Sequence, residues 1–167
     1  VTRRNKAGEF YTPRSVVRMM VEILDPQEGE SIYDPACGTG GMLLAAIDHV
    51  KRNGGDPRTF FGKIYGQEKN LNTWAICKMA LFLHDIDDAF LERGDTLLDP
   101  QHLSGEKVIK RFDVVLANPP FSLSPWGHTV WSKGDPYGRD TYGCPPKSYG
   151  DLAFVQRFWP SVRAGLD

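Results

Sequence analysis

The chain has 167 residues and a mass of 18.7 kDa, which is enough for one domain with a hydrophobic core. Hydrophobic residues account for 41% of the sequence and charged residues for 25%, as is typical of a soluble globular protein. The formal net charge is −1 and Lys and Arg form no strong block, so charge alone does not indicate nucleic-acid binding; any DNA-binding surface must be local or supplied by a partner.

The N-terminal part of the chain is predicted to hold a helix, a short strand and a second helix. Thr12 is the expected N-cap of the first helix and Pro13 its first residue, and apolar residues line one face over 16–24. A short strand at 31–33 then leads into the glycine-rich stretch 34–41. An amphipathic helix is expected to follow this stretch.

The central part of the chain continues the alternation. Further strands are predicted at 63–66, 89–92 and 113–117, with a helix at 70–83. That helix is expected to bury Leu71, Trp74, Ala75, Met79 and Phe82. Strands alternating with helices indicate an α/β domain with a mostly parallel sheet flanked by helices.

Four unusual segments each follow a predicted strand, at its carboxyl end. They are Asp34 to Gly41, Glu68, Asp95, and Asn118 to Phe121. Ligands of open parallel sheets bind beyond the carboxyl ends of the strands. We therefore expect these segments to converge on one crevice.

A long segment at 122–150 shows no periodicity, and a last helix is predicted from Asp151. One hypothesis is that this segment is mobile in the free protein and orders over an extruded base. The side chains that would take part are Trp126, Trp131, Tyr137, Arg139, Tyr142 and Lys147. The alternative is an ordinary surface loop.

The three cysteines, Cys37, Cys77 and Cys144, match neither a disulfide framework nor a zinc site, and they favour a reducing cytoplasm. No apolar run approaches the length of a membrane span, and no signal peptide is visible, so no membrane association is predicted. The first residue is Val1 rather than Met, which suggests a fragment.

The stretch DPACGTGG lets the backbone turn tightly and approach a ligand closely at its glycines. A glycine loop alone could be no more than a tight turn. Asp34 precedes this loop, and its carboxylate could accept hydrogen bonds from the loop's own N–H groups or from a ligand's amino group, but it would repel a pyrophosphate. The pattern therefore favours a cofactor that carries an ammonium group.

Acidic residues end the second and third predicted strands. Glu68 is placed to accept hydrogen bonds from both hydroxyls of a ribose, and the alternative is a solvated surface acid. Asp95 could accept an N–H of an adenine ring, or it could cap the turn before Thr96. The sequence does not choose between these two roles of Asp95.

The tetrapeptide Asn-Pro-Pro-Phe ends the fourth predicted strand. The Asn118 side-chain oxygen and the Pro119 carbonyl could together accept both hydrogens of an exocyclic amine and so free its lone pair for attack. Pro119 and Pro120 stiffen the backbone and remove competing donors, while Phe121 offers a face on which a base can stack. The alternative is a plain turn, in which Asn and Pro are common, but a turn needs neither an aromatic residue nor a position at the end of a buried strand.

Together, GEFYTPRSVV, DPACGTGG, NPPF and SYGDLAFVQRF resemble the N6-adenine DNA methyltransferases, and above all the modification subunit of type I restriction–modification systems. The resemblance implies a Rossmann-like fold, S-adenosylmethionine as cofactor, transfer of its methyl group to N6 of adenine in DNA, and no metal. It implies as partners double-stranded DNA together with a specificity subunit and a restriction subunit.

The resemblance also assigns the site residues. The cofactor-binding set that it implies comprises Glu9, Phe10, Tyr11, Thr12, Pro13, Asp34, Ala36, Gly38, Thr39, Gly40, Gly41, Glu68, Asp95, Thr96 and Leu97. The catalytic set comprises Asn118, Pro119, Pro120 and Phe121.

The family's sheet carries further strands, so we expect a catalytic domain truncated before its last strands. Its parts would be a cofactor segment and helix at 1–30, a cofactor-binding and catalytic core at 31–121, a loop at 122–150 and a helix at 151–167. The turn into the next strand is expected at 165–167, which would leave the fourth strand at an open edge.

Two other functions compete with DNA methylation. A methyltransferase acting on a glutamine amide or on an RNA base would also use Asn-Pro-Pro followed by an aromatic residue, but the segment GEFYTP is not expected in it. A non-catalytic DNA-binding or assembly module would be favoured by loss of Asn118 or of the glycine loop, and both are intact.

Overall fold

The computed structural model describes residues 11–163, except for the side chain of Trp159. Four parallel strands form its main sheet: β1 Ile32–Asp34, β2 Ile64–Glu68, β3 Phe90–Arg93 and β6 Val114–Val115. Their order across the sheet is β3-β2-β1-β6. Two short antiparallel strands, β4 Leu103–Gly105 and β5 Val108–Ile109, form a separate hairpin in the connection to β6, which the sequence did not predict.

Helices connect the strands and cover the sheet. The α-helices are α1 Arg14–Leu24, α2 Gly41–Arg52, α3 Leu71–Phe82, α4 His128–Trp131 and α5 Asp151–Phe158. Two 3₁₀ turns span Pro57–Phe60 and Trp159–Ser161. This is the predicted α/β architecture.

Strand β1 lies in the middle of the sheet, with Ile32 opposite Ile64 of β2 and opposite Val114 of β6. The chain builds outward from β1 through β2 to β3 and then returns to the other side of β1 as β6. Strand order therefore reverses between β1 and β6. Asp34 at the end of β1 and Asn118, shortly after the end of β6, flank the position where open α/β sheets bind ligands.

Successive residues of β1 pack on opposite faces of the sheet, as the two-residue period of a strand requires. Ile32 joins the main core with α2 residues such as Leu43 and Ala46. Tyr33 points to the other face, where its ring stacks on Phe112 at a centroid distance of 4.5 Å. Both faces of the sheet are therefore buried at β1.

Helix α3 buries only part of the face that was predicted, since Trp74 packs partly buried against the main core and Ala75 is half-buried. Cys77 and Leu81 are buried, whereas Leu71, Met79 and Phe82 are exposed. Apolar residues occur on all sides of this helix, so their periodicity does not specify an inward side.

Helix α1 begins one residue later than predicted. Pro13 is its N-cap and Arg14 its first residue, so Thr12 is not the cap. The carbonyl of Pro13 accepts the N–H groups of Val16 and Val17, which starts the helix without a capping side chain. The Thr12 hydroxyl is consequently available for another contact.

The segment 122–150 contains only one short helix but packs tightly. Trp126 and Trp131 are buried against Leu97, Ala153 and Phe154 in a second hydrophobic cluster. The indole N–H of Trp131 donates to the Leu97 carbonyl at 3.2 Å.

A buried ion pair holds the same segment. Arg139, only 1% exposed, pairs with Asp135 and also donates to the carbonyls of Thr96 and Leu97. Trp126, Trp131 and Arg139 therefore support the fold, and the prediction that they close over a base is wrong for these three. Tyr142 is exposed.

Sheet pairing resumes earlier than predicted after α5. Val162 forms a parallel bridge with Phe112, because the Phe112 N–H donates to Ser161 and the Arg163 N–H donates to the Phe112 carbonyl. The chain therefore adds to the edge beside the start of β6 at Val162, ahead of the expected turn at 165–167. Within residues 11–163, no helix is long and apolar enough to cross a bilayer.

Candidate active site

An open cleft lies at the carboxyl ends of the strands, and the space continuous with it, about 1600 Å³ in all, extends past α2 to Lys51 and Arg58. The four segments that the sequence analysis placed at strand ends all contribute to its lining. Their contributions include Asp34, Gly38, Glu68, Asp95 and Asn118. The strand order brings them together, since these residues follow four adjacent parallel strands.

The glycine loop after β1 forms the floor of the cleft. Gly38 and Gly40 have φ angles of +54° and +85°, which residues with a Cβ rarely adopt. A Cβ on Gly40 would lie 2.9 Å from the sulfur of Cys77 in α3. Glycine at residue 40 therefore allows both the turn and the close approach of α3.

Asp34 is 2% exposed and lies against the glycine loop. One of its carboxylate oxygens accepts the N–H of Ala36 at 2.9 Å, and the other has no hydrogen-bond partner within residues 11–163. The pKa of Asp34 is raised to about 7, mainly by burial; the bond from Ala36 opposes this rise and the nearby charge of Glu68 adds to it. A cation in the cleft would relieve this unfavourable burial of charge.

Glu68 joins the glycine loop to the start of α3. One carboxylate oxygen accepts the N–H of Gly38 at 3.1 Å and the other accepts the N–H of Asn70 at 2.7 Å. Each oxygen of a carboxylate can accept a second hydrogen bond. The predicted ribose contact therefore needs no rearrangement of these two bonds, and it stays a prediction.

Asp95 caps the turn after β3, as one of the two predicted alternatives stated. One oxygen accepts the N–H of Leu97 at 3.0 Å and that of Leu98 at 3.2 Å. The other oxygen pairs with Lys69 at 2.7 Å. The adenine contact of Asp95 stays a prediction.

The two residues after Asp95 have structural contacts of their own, and only Thr96 lines the cleft. The Thr96 hydroxyl donates to the carbonyl of Pro35 and so ties the turn after β3 to the glycine loop. Leu97 is buried in the second hydrophobic cluster and does not line the cleft.

Asn118 reaches the cleft from the end of β6. Its side-chain N–H donates to the Thr12 hydroxyl at 2.8 Å, and its side-chain oxygen has no partner within the described part of the chain. Pro120 also lines the cleft, whereas Pro119 does not. Phe121 lies outside the lining and is 60% exposed.

Most of the predicted cofactor-binding residues that the structure describes line the cleft. They are Tyr11, Thr12, Asp34, Ala36, Gly38, Thr39, Gly41, Glu68, Asp95 and Thr96. Pro13, Gly40 and Leu97 support the cleft from behind without lining it. Glu9 and Phe10 lie outside the described residues.

Gln67 and Lys69 flank Glu68 and line the cleft, although neither was predicted as a site residue. Gln67 is fully buried; its side chain accepts the N–H of Gln101 at 3.1 Å and donates to the Asp99 carbonyl at 2.8 Å. It thereby holds the loop after β3 in place. A polar residue within the otherwise apolar strand β2 is the signal that could have revealed it.

Candidate metal ligands do not cluster in the part of the chain that the structure describes. No group of three or more His, Cys, Asp or Glu side chains within residues 11–163 is arranged to hold a metal ion. The acidic groups of the cleft are instead held by backbone N–H groups and by Lys69.

The sequence matches the model of the family described as N-6 DNA Methylase over residues 2–165. It is 45% identical over 119 residues to the type I restriction enzyme EcoEI methylase subunit of Escherichia coli, which covers 69% of this chain and 24% of that subunit. It is 38% identical over 161 residues to the MjaVII methylase subunit of Methanocaldococcus jannaschii, covering 90% of this chain and 26% of that subunit.

Solved structures share the architecture. The methyltransferase subunit of a type I restriction-modification system from Streptococcus thermophilus has a TM-score of 0.79 at 32% identity, over 95% of this chain and 33% of that one. An S-adenosylmethionine-dependent O-methyltransferase from Thermotoga maritima has a TM-score of 0.54 at 15% identity, over 93% of this chain and 42% of that one, and shares the fold alone.

The fold is therefore the Rossmann-like fold of S-adenosylmethionine-dependent methyltransferases. The chain spans about a quarter to a third of the length of the type I subunits that it matches. Because the family model covers nearly every residue, the chain belongs to the N-6 DNA methylase family.

Proposed function

We propose that this protein transfers a methyl group from S-adenosylmethionine to N6 of adenine in DNA, as the catalytic part of a type I modification subunit. One observation carries the proposal: the unpaired amide oxygen of Asn118 and the buried carboxylate of Asp34 line the same cleft. The names of the relatives support the same reaction class.

Two carboxylates beside the glycine loop, those of Asp34 and Glu68, fit this cofactor. Asp34 and Glu68 lie close enough for the charge of Glu68 to raise the pKa of Asp34. A ligand with phosphate groups would add negative charge to this pair, whereas an ammonium or sulfonium group would offset it. S-Adenosylmethionine carries both cations and no phosphate.

Different residues of the cleft would bind different parts of the cofactor. Asp34 would bind the ammonium group and Glu68 the ribose hydroxyls, while the turn after Asp95 would contact the adenine ring. The part of the N-terminal segment around Tyr11 would pack on the methionine part. When bound, the cofactor supplies an electrophilic methyl group, and the protein supplies position and electrostatics.

Asn118 acts on the target amine in this proposal. Its side-chain oxygen would accept one N–H of the adenine amine, and the Pro119 carbonyl would accept the other. Both bonds would favour a pyramidal nitrogen whose lone pair is free to attack. Phe121, at 60% exposed, has a free face on which an extruded base can stack.

The proposed partners are double-stranded DNA, a specificity subunit and a restriction subunit. Support comes from the relatives, which are methylase subunits of type I restriction enzymes, and from a similar structure described in terms of complex assembly of such a system. A partner that reads the DNA sequence is consistent with the net charge of −1.

The test is methyl transfer by the full-length protein together with its specificity subunit, with labelled cofactor and with the modified base mapped. We expect N6-methyladenine in DNA, and we expect Asn118→Ala to lower the rate by about 10²–10³-fold, the usual effect of removing one preorganised polar group. Val108→Ala, at an exposed position outside the cleft lining, is the control. Label found in protein or RNA would refute the proposal.

A second measurement separates an enzyme from a non-catalytic module. Titration calorimetry should show cofactor binding that is lost in Asp34→Ala and in Glu68→Ala, because both carboxylates line the cleft. The absence of any binding heat in the wild-type protein would favour the assembly module.

A further inference from the structure

We infer that Thr12 is a positioning residue, whose hydroxyl holds the Asn118 amide with its nitrogen fixed and its oxygen left for the target amine. The inference rests on the proposed function. It gives Thr12 a role different from the cofactor contact that the family resemblance implies.

The hydrogen bond that supports the inference joins the segment before α1 to the segment after β6. The Asn118 side-chain N–H donates to the Thr12 hydroxyl oxygen at 2.8 Å, and both residues line the cleft. The Thr12 hydroxyl caps no helix, since α1 begins without a side-chain cap. The amide oxygen of Asn118 has no partner among the described residues.

Both partners stand on stiff backbone. Thr12 precedes Pro13 and Asn118 precedes Pro119, and a residue before proline is restricted to extended conformations. The side chain of Thr12 is β-branched, which restricts its first torsion angle. Helix α1 anchors the Thr12 side of the contact, because Val17 and Val21 are buried in the main core.

The orientation of the amide decides what chemistry Asn118 can perform. An amide presents an acceptor at its oxygen and two donors at its nitrogen. When its oxygen points toward the target, the Asn118 amide accepts an N–H of the amine. If the amide were rotated by half a turn, its own N–H groups would face the N–H groups of the amine and no hydrogen bond would form. A fixed partner for the nitrogen removes the need to order the amide during the reaction.

The matched substitutions are Thr12→Val and Thr12→Ser in the full-length protein with its specificity subunit. Valine keeps the shape and removes the hydroxyl, whereas serine keeps the hydroxyl. We expect Thr12→Val to lower kcat by about tenfold, the effect of one lost hydrogen bond, with little change in cofactor affinity measured by calorimetry. Thr12→Ser should restore most of the rate.

A double-mutant cycle with Asn118→Ala assigns the effect to the contact. If Thr12 acts through Asn118, Thr12→Val should have almost no further effect on the single-turnover rate once Asn118 is alanine. Thermal unfolding of each variant shows whether the fold is kept.

Three results would overturn the inference while the proposed function stands: a loss of cofactor affinity in Thr12→Val with kcat unchanged, failure of Thr12→Ser to restore the rate, or additive effects in the cycle. A wild-type assembly that methylates no adenine in DNA would instead refute the proposed function, and the inference with it.

Discussion

Two buried aspartates lie on either side of the turn after β3, and their surroundings are opposite. Asp34, in the cleft, has no cation within residues 11–163 and its pKa is raised to about 7 by burial. Asp135, in the segment 122–150, receives two short bonds from Arg139, at 2.6 and 2.7 Å. Both carboxylates are removed from water, but only Asp135 is compensated within the described chain.

The difference separates a group that maintains the fold from a group that awaits a ligand. A buried charge that is paired and hydrogen-bonded contributes to structure, whereas an unpaired one lowers stability until its counter-charge arrives. The Arg139–Asp135 pair also fastens the segment 122–150 to the turn after β3 through the carbonyls of Thr96 and Leu97. The cleft can therefore accept a cation at Asp34, while the segment 122–150 is already fixed by the bonds of Arg139.

The largest effect is expected from breaking the compensated pair. Arg139→Met leaves Asp135 buried without its cation and removes the bonds to two carbonyls. The free energy of unfolding of the full-length protein should fall by about 3–5 kcal/mol, measured by urea unfolding.

The double variant Arg139→Met with Asp135→Asn is the control for this substitution. It removes the orphaned charge while keeping an acceptor for the Arg139 backbone N–H, so part of the loss should be recovered. A loss below about 1 kcal/mol in the single variant would show that the pair matters little.

Substitution of Asp34, which has no cation partner among the described residues, is expected to raise the free energy of unfolding rather than lower it. The folded-state pKa of Asp34 is raised, so its contribution to stability is fully present below about pH 4 and is lost as the pH rises through about 7. Asp34→Asn removes that loss and should raise the free energy of unfolding at about pH 8 by about 2–4 kcal/mol.

Below about pH 4 the stabilities of Asp34→Asn and wild type should converge, because both side chains are then neutral. Asparagine keeps an oxygen that can accept the Ala36 N–H, so the loop geometry is retained. A lower free energy of unfolding for Asp34→Asn at both pH values would show that the folded protein stabilises the ionised Asp34 carboxylate despite its burial.

Cofactor binding should follow the ionisation of Asp34 in the other direction. Only the ionised carboxylate pairs with an ammonium group, so the association constant should rise by about tenfold from about pH 5 to about pH 6 and level off above about pH 7. Calorimetric titrations across this range measure it. In Asp34→Asn the pH dependence should disappear, and a pH-independent wild type would contradict the assignment.

The smallest effect is expected at the exposed ion pair of the cleft. The Lys69 side chain is 69% exposed, and Asp95 keeps its bonds from two backbone N–H groups when Lys69 is removed. Lys69→Ala should change the free energy of unfolding by less than about 1 kcal/mol. A larger loss would show that the Lys69–Asp95 pair stabilises the fold as the buried Arg139–Asp135 pair does.

The sequence predicted the cleft better than its surroundings. Strand ends in a parallel sheet are fixed by topology, so the positions of Asp34, Glu68 and Asn118 could be inferred from the order of elements alone. Which face α3 buries could not, because its apolar residues surround the helix.

The segment 122–150 was the least predictable part. Its lack of periodicity suggested a loop, yet Trp126 and Trp131 form a small core with residues that are distant in sequence. Pairing of Arg139 with backbone carbonyls leaves no pattern in the sequence either. The role of Thr12 was hidden for the same reason, since a helix cap and a contact to Asn118 look alike before the chain is folded.

The hydrogen bond between Thr12 and Asn118 closes a loop of 106 positions in the chain. The contact ties the segment before helix α1 to the residues that follow β6. Local opening of that segment would release the Asn118 amide and slow the proposed methyl transfer by about tenfold, while the sheet and its core stay intact.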